Sequence, residues 1–253
     1  CGLTKKTSIT RGSYGTNSTA GEFPWMVFLF RNDTRATCGG VLINHRTVLT
    51  VAHCLENAAY CTLYFGKYNR SDENDDNEVQ MRTSSEIIIH PEFNPLTFDN
   101  DIAIVKLSSD VQYSSRIKPI CMPSPDSTRI NVVPGQKGYV TGWGMNEKRI
   151  LLSRLMLLTL PVQSPETCMS AYWRRNTFMR ITQGMFCAGY TDKKINACDG
   201  DSGSPMIFYN IRTQRFTVEG LVSHGTSGRC DKPEKYTIFT RVSHYLRWIY
   251  ENW

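Results

Sequence analysis

The sequence predicts an all-β protein, arranged as barrels or a sandwich, that ends in one helix. Short apolar runs are separated by Gly, Pro, Asn and Asp turns, a rhythm typical of β-sheet. The candidate strands are MVFLF, GGVLI, TVLTVA, TLYFG, EIIIH, DIAIVKL, GYVTGWG, LMLLTLPV, SPMIFY, FTVEGLVSHG and YTIFTRV. The C-terminal residues differ because apolar positions recur there at helical spacing. An amphipathic helix is therefore expected to pack its apolar stripe on the body, through Val242, Tyr245, Leu246, Ile249 and Trp253.

Composition and charge narrow the possible functions. With 253 residues and 40% apolar content, the chain can bury a substantial core and form one domain. No apolar run approaches the roughly 18 residues of a membrane helix, so we expect no membrane span. The formal net charge of +6 is modest, and the cationic residues are scattered, so we expect no nucleic-acid partner.

The nine cysteines indicate a secreted, extracellular protein. They are spaced irregularly, with no CxxC pair and no Cys-His metal spacing, which favours disulfides formed in an oxidising compartment. Three N-glycosylation sequons agree with secretion, at Asn17, Asn32 and Asn69. No signal-like leader precedes Cys1, so we expect a longer precursor with upstream domains.

Three short stretches carry residues suited to nucleophilic catalysis. TVAHC contains His53, FDNDIAIVKL contains Asp101 before an apolar strand, and CDGDSGSP contains Ser202 in a glycine-rich turn. A serine hydroxyl is a poor nucleophile at neutral pH and needs a base within hydrogen-bond reach. A histidine can be that base if a buried carboxylate fixes its tautomer and stabilises its cationic form. For each stretch alone, a structural role is the simpler interpretation. The three together indicate a Ser-His-Asp hydrolase.

In this order, the three stretches resemble the chymotrypsin-like serine endopeptidases. Supporting matches run through the chain: FPWMV, CGGVLI, IKPICMP, TGWG, MFCAGY and RVSHYLRWI. The resemblance implies two six-stranded antiparallel β-barrels with the active site between them and a C-terminal α-helix. It also implies a peptidase domain over residues 12–253, with an oxyanion hole formed by the backbone N–H groups of Gly200 and Ser202. EFPWM and the leading Cys-Gly are similar to invertebrate cascade proteases, which suggests a protein substrate such as a downstream zymogen, and an inhibitor.

Family cysteine pairing implies four disulfides: Cys1–Cys121, Cys38–Cys54, Cys168–Cys187 and Cys198–Cys230. A further family bridge is lost at both ends, where Gly138 and Phe208 stand. Cys61 is left over, either as a buried or partly exposed thiol or as a link to another chain.

Substrate preference is expected to depend on a pocket that departs from its trypsin-like relatives. The residues expected to line the substrate site are Asn196, Ala197, Asp199, Ser223, Gly225 and Glu234. Asn196 stands where those relatives carry a pocket-floor aspartate, and Glu234 stands where they carry glycine. A Glu234 carboxylate could pair with a cationic side chain, so cleavage after Arg or Lys is favoured, with aromatic residues as the alternative. Another interpretation is that Glu234 merely fills the pocket and slows the enzyme. His224 replaces the usual tryptophan.

The expected activation site keeps its arginine but not its apolar terminus. In the family, cleavage after a basic residue frees Ile-Val-Gly-Gly, whose ammonium pairs with the aspartate before the nucleophile, here Asp201. The corresponding bond is Arg11–Gly12, with residues 1–11 as a leader tethered through Cys1. Replacing isoleucine by glycine forfeits about 1.5–3 kcal/mol of burial. Three interpretations stay open: a sluggish enzyme cut at Arg11, activation by a partner or context without that cut, and a catalytically silent homologue that acts as a binding or regulatory module.

We expect no cofactor and no metal. The acidic run SDENDDNE at 71–78 is most simply a solvated loop, although clustered oxygen ligands also suit calcium. Lys67 stands where calcium-binding relatives carry a glutamate ligand, which argues against an ion in the 67–78 loop.

Overall fold

A computed structural model describes residues 1–4, 16–72, 78–146, 148–193, 196–225 and 236–253. In these ranges the strands form two closed antiparallel barrels, followed by a short C-terminal helix. The all-β, two-barrel prediction is confirmed.

The first barrel has six strands in the order β2-β3-β4-β7-β6-β5. These are β2 (Met26–Arg31), β3 (Thr37–Asn44), β4 (Thr47–Thr50), β5 (Cys61–Phe65), β6 (Gln80–Ile89) and β7 (Ala103–Leu107). Apolar side chains such as Val41, Leu49, Leu63 and Ile104 are fully buried inside it. The residues after β4 and before β7 reach the active site from this barrel.

The second barrel closes through β8-β9-β10-β13-β12-β11 and back to β8. Its strands are β8 (Lys137–Gly142), β9 (Met156–Gln163), β10 (Met185–Ala188), β11 (Pro205–Asn210), β12 (Arg215–His224) and β13 (Thr237–Arg241). A two-residue strand, β1 (Thr16–Asn17), adds to the outside of β9. The chain just after the expected leader therefore lies on the second barrel.

Two helices were not predicted from the sequence: α1 (Pro125–Asn131) and α2 (Pro165–Trp173). Each begins after a serine N-cap whose side chain accepts a backbone N–H, and each has proline in its first turn. Strand β10 (sequence MFCA) was also missed, since four buried residues show no alternation.

The C-terminal helical segment is a 3₁₀ turn, Val242–Tyr245, followed by α3 (Leu246–Glu251). Val242, Tyr245 and Ile249 are buried as expected. Trp253 is 44% exposed, so its predicted place in the apolar stripe is wrong. The helix ends at Glu251, before Trp253, and Trp248 packs on the core instead.

The cysteines form three described bridges: Cys1–Cys121, Cys38–Cys54 and Cys168–Cys187. Cys198 is also a disulfide cysteine, and its expected partner Cys230 lies outside the described residues. The Cys61 thiol is free and its residue is fully buried in β5, which argues against the alternative of a link to another chain. Burial raises the pKa of this thiol to about 11, so it stays protonated.

An aromatic ring fills the space beside Gly138, where the family resemblance places a missing bridge. A Cβ placed on Gly138 would lie 2.6 Å from Cζ of Phe208, which is itself 2% exposed. The Phe208 ring thus occupies the space beside Gly138 in the second barrel, and the two replacements depend on each other.

Candidate active site

His53 and Asp101 meet where the first barrel faces the second. His53 lies in a 3₁₀ turn, Ala52–Cys54, directly after β4, and Asp101 lies two residues before β7. Strands β4 and β7 are hydrogen-bonded neighbours, which brings the two residues together. His53 Nδ1 is 2.8 Å from Asp101 Oδ2, and the His53 backbone N–H donates to Oδ1 at 2.9 Å. The carboxylate therefore holds both the ring and the backbone of His53.

Asp101 is held from the second barrel as well. Its side chain is 0% exposed, whereas that of His53 is 24% exposed, so the imidazole alone faces the solvent side. The Ser223 hydroxyl donates to Asp101 Oδ2 at 2.5 Å, and the Thr240 hydroxyl donates to the Asp101 carbonyl at 2.7 Å. Three donors thus converge on a buried carboxylate, an arrangement that fixes the Nδ1–H tautomer of His53.

Ser202 is brought to the same cleft by a tight turn before β11. Its carbonyl accepts the Gly39 N–H at 2.7 Å, and Gly39 follows Cys38, which is disulfide-bonded to the neighbour of His53, Cys54. The Gly203 N–H donates to Val222 of β12 at 2.8 Å. Among the hydrogen bonds of the described residues, Ser202 Oγ has none with His53 Nε2. The Ser202 turn is thus hydrogen-bonded to the strand that carries Cys38, whose disulfide partner Cys54 follows His53.

The backbone around Ser202 leaves two N–H groups available. Gly200 has φ +93°, a left-handed conformation that favours glycine. Across the described hydrogen bonds, the N–H groups of Gly200 and Ser202 have no protein acceptor. Two unused amide donors flanking a nucleophile are what an oxyanion hole needs.

Comparison with known proteins agrees with this geometry. The family model described as Trypsin matches residues 13–249. The chain belongs to the trypsin family. It is 36% identical over 250 residues to clotting factor C of Tachypleus tridentatus, covering 93% of this chain and 24% of that protein. It is 34% identical to vitamin K-dependent protein C of Mus musculus, covering 93% and 50%, and 37% identical to chymotrypsin-C of Mus musculus, covering 94% and 87%.

This trypsin-family chain is therefore a serine protease. It spans 24% of the length of clotting factor C and 50% of that of protein C. No helix within the described ranges has the length and apolar character needed to cross a membrane.

Three aromatic rings lie in contact on the His53 side of the cleft, an arrangement that no sequence pattern predicted. Phe98 makes an edge contact with His53 at 5.5 Å between centroids and stacks on His224 at 4.6 Å. His224 Nδ1 is 3.0 Å from Ser223 Oγ, so the histidine that replaces the family tryptophan joins the hydrogen-bond chain to Asp101. Burial lowers the pKa of His224 to about 4, which keeps this ring neutral at physiological pH.

Asp201, the expected partner of an activating terminus, is buried beside the Ser202 turn. It is 5% exposed, and its two oxygens accept N–H groups from Gly144 at 2.8 Å and Cys198 at 3.0 Å. Burial raises its pKa to about 6. Both contacts are neutral amides, and no described cation pairs with this carboxylate. The expected activation residues Arg11 and Gly12 lie outside the described residues.

The structure describes part of the expected substrate pocket. Asn196 and Ser223 are buried, Ala197 is half-buried, and Asp199 is exposed. Among the described residues, a Cβ on Gly225 would have only the Tyr236 carbonyl within 4 Å, at 3.6 Å. Glu234 lies outside the described residues.

The remaining predicted sites stay predictions. Asn32 is exposed and Asn69 half-buried, while the side chain of Asn17 is not described. Most of the acidic run, residues 73–77, also lies outside the described ranges. Within those ranges no three His, Cys, Asp or Glu side chains form a metal-binding group.

The second barrel contains another buried carboxylate that sequence reasoning missed. Glu219 is fully buried and accepts hydrogen bonds from Ser127, Thr128 and Asn131 of α1, while burial raises its pKa. These contacts fasten α1 to β12, the strand that ends at Ser223 and His224.

Proposed function

We propose that this chain is the endopeptidase domain of a secreted protease that acts in a proteolytic cascade and is activated by a non-standard route. The observation that carries the endopeptidase function is the buried Asp101 carboxylate holding His53 at 2.8 Å, beside the Ser202 turn. The relative named clotting factor C and the several disulfides support an extracellular cascade, with a downstream zymogen as substrate.

In the proposed mechanism, Ser202 Oγ attacks the scissile carbonyl while His53 Nε2 removes its proton. Asp101 stabilises the resulting imidazolium, and the N–H groups of Gly200 and Ser202 bind the oxyanion. His53 then passes its proton to the leaving amine, which departs and leaves an acyl group on Ser202. Water hydrolyses that acyl-enzyme with His53 again acting as base.

A catalytically silent homologue, acting as a binding or regulatory module, is the second candidate. It is favoured by the missing hydrogen bond between Ser202 and His53 and by glycine at the expected terminus. Retention of all three catalytic residue types favours the enzyme.

An active-site-directed fluorophosphonate distinguishes the two candidates. We expect it to label Ser202 after treatment with a trypsin-like activator, because labelling requires the base and the oxyanion donors and not a particular substrate. Peptide mass spectrometry locates the label, and Ser202→Ala is the blank. A folded protein that stays unlabelled both before and after treatment would favour the binding module.

We further propose cleavage after Arg or Lys, supported by the two carboxylates expected at the pocket, Glu234 in the wall and Asp199 at the rim. Replacing Glu234 by glycine is expected to lower kcat/KM for Arg and Lys substrates more than for Phe substrates. A pair in a partly solvated pocket contributes about 1 kcal/mol, so the Arg-to-Phe ratio should fall about five-fold. Matched chromogenic peptides give that ratio, and an unchanged value would refute the pairing.

A further inference from the structure

We propose that the Arg149–Ile150 bond is a second activation site, whose cleavage supplies the ammonium group that pairs with Asp201. The inference rests on the proposed protease function and names how that active site is switched on. It concerns a bond near the centre of the chain and is independent of the one at Arg11.

Asp201 is a carboxylate that an ammonium group would stabilise. Two glycines pack directly on it, since a Cβ on Gly142 or Gly144 would clash with its oxygens. Among the described residues, Asp201 accepts hydrogen bonds only from the neutral N–H groups of Gly144 and Cys198, and none of these residues supplies a compensating cation. A buried carboxylate is costly until a cation compensates it.

The Arg149–Ile150 bond lies in an exposed turn. Both residues are exposed, and the Ile150 side chain is 58% exposed although it is a large aliphatic group. Arg149 has φ +60°, a left-handed conformation that is uncommon for a residue with a side chain. Exposed loop tips are the preferred places for proteolytic nicking, and an arginine there suits a trypsin-like endopeptidase.

The segment after this bond already lies against the loop that Asp201 controls. The Leu152 N–H donates to the Gly144 carbonyl at 3.3 Å, and the Gly144 N–H donates to Asp201. A Cβ on Gly200 would lie 2.7 Å from Leu151 Cδ2, so Leu151 packs on the oxyanion-loop glycine.

The new terminus would have the necessary reach. Arg70 holds the carbonyls of Leu151 and Leu152, at 3.2 and 2.8 Å, which provides a fixed point. Ile150 N precedes Leu152 N by two residues, which span up to about 7 Å when extended. Leu152 N is connected to the Asp201 carboxylate through two hydrogen bonds and one residue, Gly144. An extended Ile150-Leu151 segment of about 7 Å can therefore bring the ammonium group to the carboxylate.

The cleavage is an ordinary peptide hydrolysis. Water adds to the Arg149 carbonyl, the bond to Ile150 N breaks, and the products are an Arg149 carboxylate and an Ile150 ammonium. The endopeptidase is a trypsin-like enzyme, either another protease or a second copy of this one. The product begins Ile-Leu-Leu, whereas cleavage at Arg11 gives Gly-Ser-Tyr. Of these two termini, only the one at Ile150 carries an apolar side chain whose burial would stabilise the inserted state.

The first experiment removes the competing bond. In an Arg11→Gln background, limited treatment with trypsin is expected to produce a fragment starting at Ile150 and to raise fluorophosphonate labelling at least about ten-fold, a shift of roughly 1.4 kcal/mol. Adding Arg149→Gln should abolish both the fragment and the rise. Adding Ile150→Gly should preserve cleavage but not the rise. Arg35→Gln is the matched control, since Arg35 is also exposed with φ +57° but lies in the first barrel, between β2 and β3.

The second experiment does not depend on activity. In the cut protein, the Ile150 α-amine should react with an amine-acylating reagent at least about ten times more slowly than in the cut Asp201→Asn variant, because a buried ion pair hides it. Protection without any labelling would support this inference and refute the endopeptidase function. Three results would overturn the inference. These are an Ile150 amine that is equally reactive in both proteins, an equal rise in labelling in the Arg149→Gln variant, and an Arg149–Ile150 bond that trypsin does not cut.

Discussion

Replacing Asp101 by asparagine is expected to lower kcat about 10⁴-fold at neutral pH while leaving the fold intact. Asp101 accepts from His53 N at Oδ1 and from both His53 Nδ1 and Ser223 Oγ at Oδ2. An asparagine of the same shape puts an NH₂ group in place of one of these acceptors, facing donors. His53 then favours the tautomer that protonates Nε2, and it can no longer take the Ser202 proton. Steady-state kinetics on the activated protein would measure the loss.

Asp99→Asn is the matched control for that substitution. Asp99 lies two residues away and accepts a hydrogen bond from Thr97 Oγ1 at 3.0 Å, but it has no described contact with His53. Removing its charge is expected to change kcat less than about three-fold, since the loss is less than 1 kcal/mol for a partly exposed charge. A comparable loss in both variants would mean that local negative charge, and not acceptor geometry, supports His53.

Most strands could be predicted because turns and apolar runs alternate clearly along the chain. The missed helices α1 and α2 had readable signals, since Ser124-Pro125 and Ser164-Pro165 pair an N-cap with a first-turn proline. Trp253 was misassigned because helical spacing continues past the point where the helix ends. Periodicity of apolar residues does not predict where a helix ends, and here the backbone leaves the helical conformation at Asn252.

The sequence predicts candidate site residues from separate motifs but not their environment. The structure brings His53 and Asp101 into contact, and the catalytic role of Ser202 stays a prediction. The contact of Phe98 with both His53 and His224 had no sequence signal, since it depends on the left-handed backbone of Phe98, φ +58°, in a loop. Likewise, the approach of Leu151 to Gly200 depends on how the loop after β8 folds back.

The other large effect is expected from Gly203→Ala, which would separate the Ser202 turn from the first barrel. Gly203 has φ +80°, and a Cβ there would lie 2.2 Å from the Gly39 carbonyl and 2.4 Å from Thr50 Oγ1. The same Gly39 donates its N–H to the Ser202 carbonyl at 2.7 Å. Backbone strain of about 1–2 kcal/mol adds to about 1–3 kcal/mol of overpacking, so the free energy of unfolding should fall by about 2–5 kcal/mol. Because Ser202 is displaced from His53, kcat/KM should fall at least about 100-fold.

Gly135→Ala separates the two causes of that effect. Gly135 has a similar φ of +88°, but a Cβ there meets nothing within 4 Å. This variant therefore carries the backbone strain alone, and we expect a loss of about 1–2 kcal/mol with unchanged kcat/KM. Urea unfolding followed by fluorescence, together with kinetics on each variant, measures both quantities. The contradicting result would be equal losses of stability in the two alanine variants with full activity in both. Close packing of Gly203 on Gly39 would then have no part in aligning Ser202 with His53.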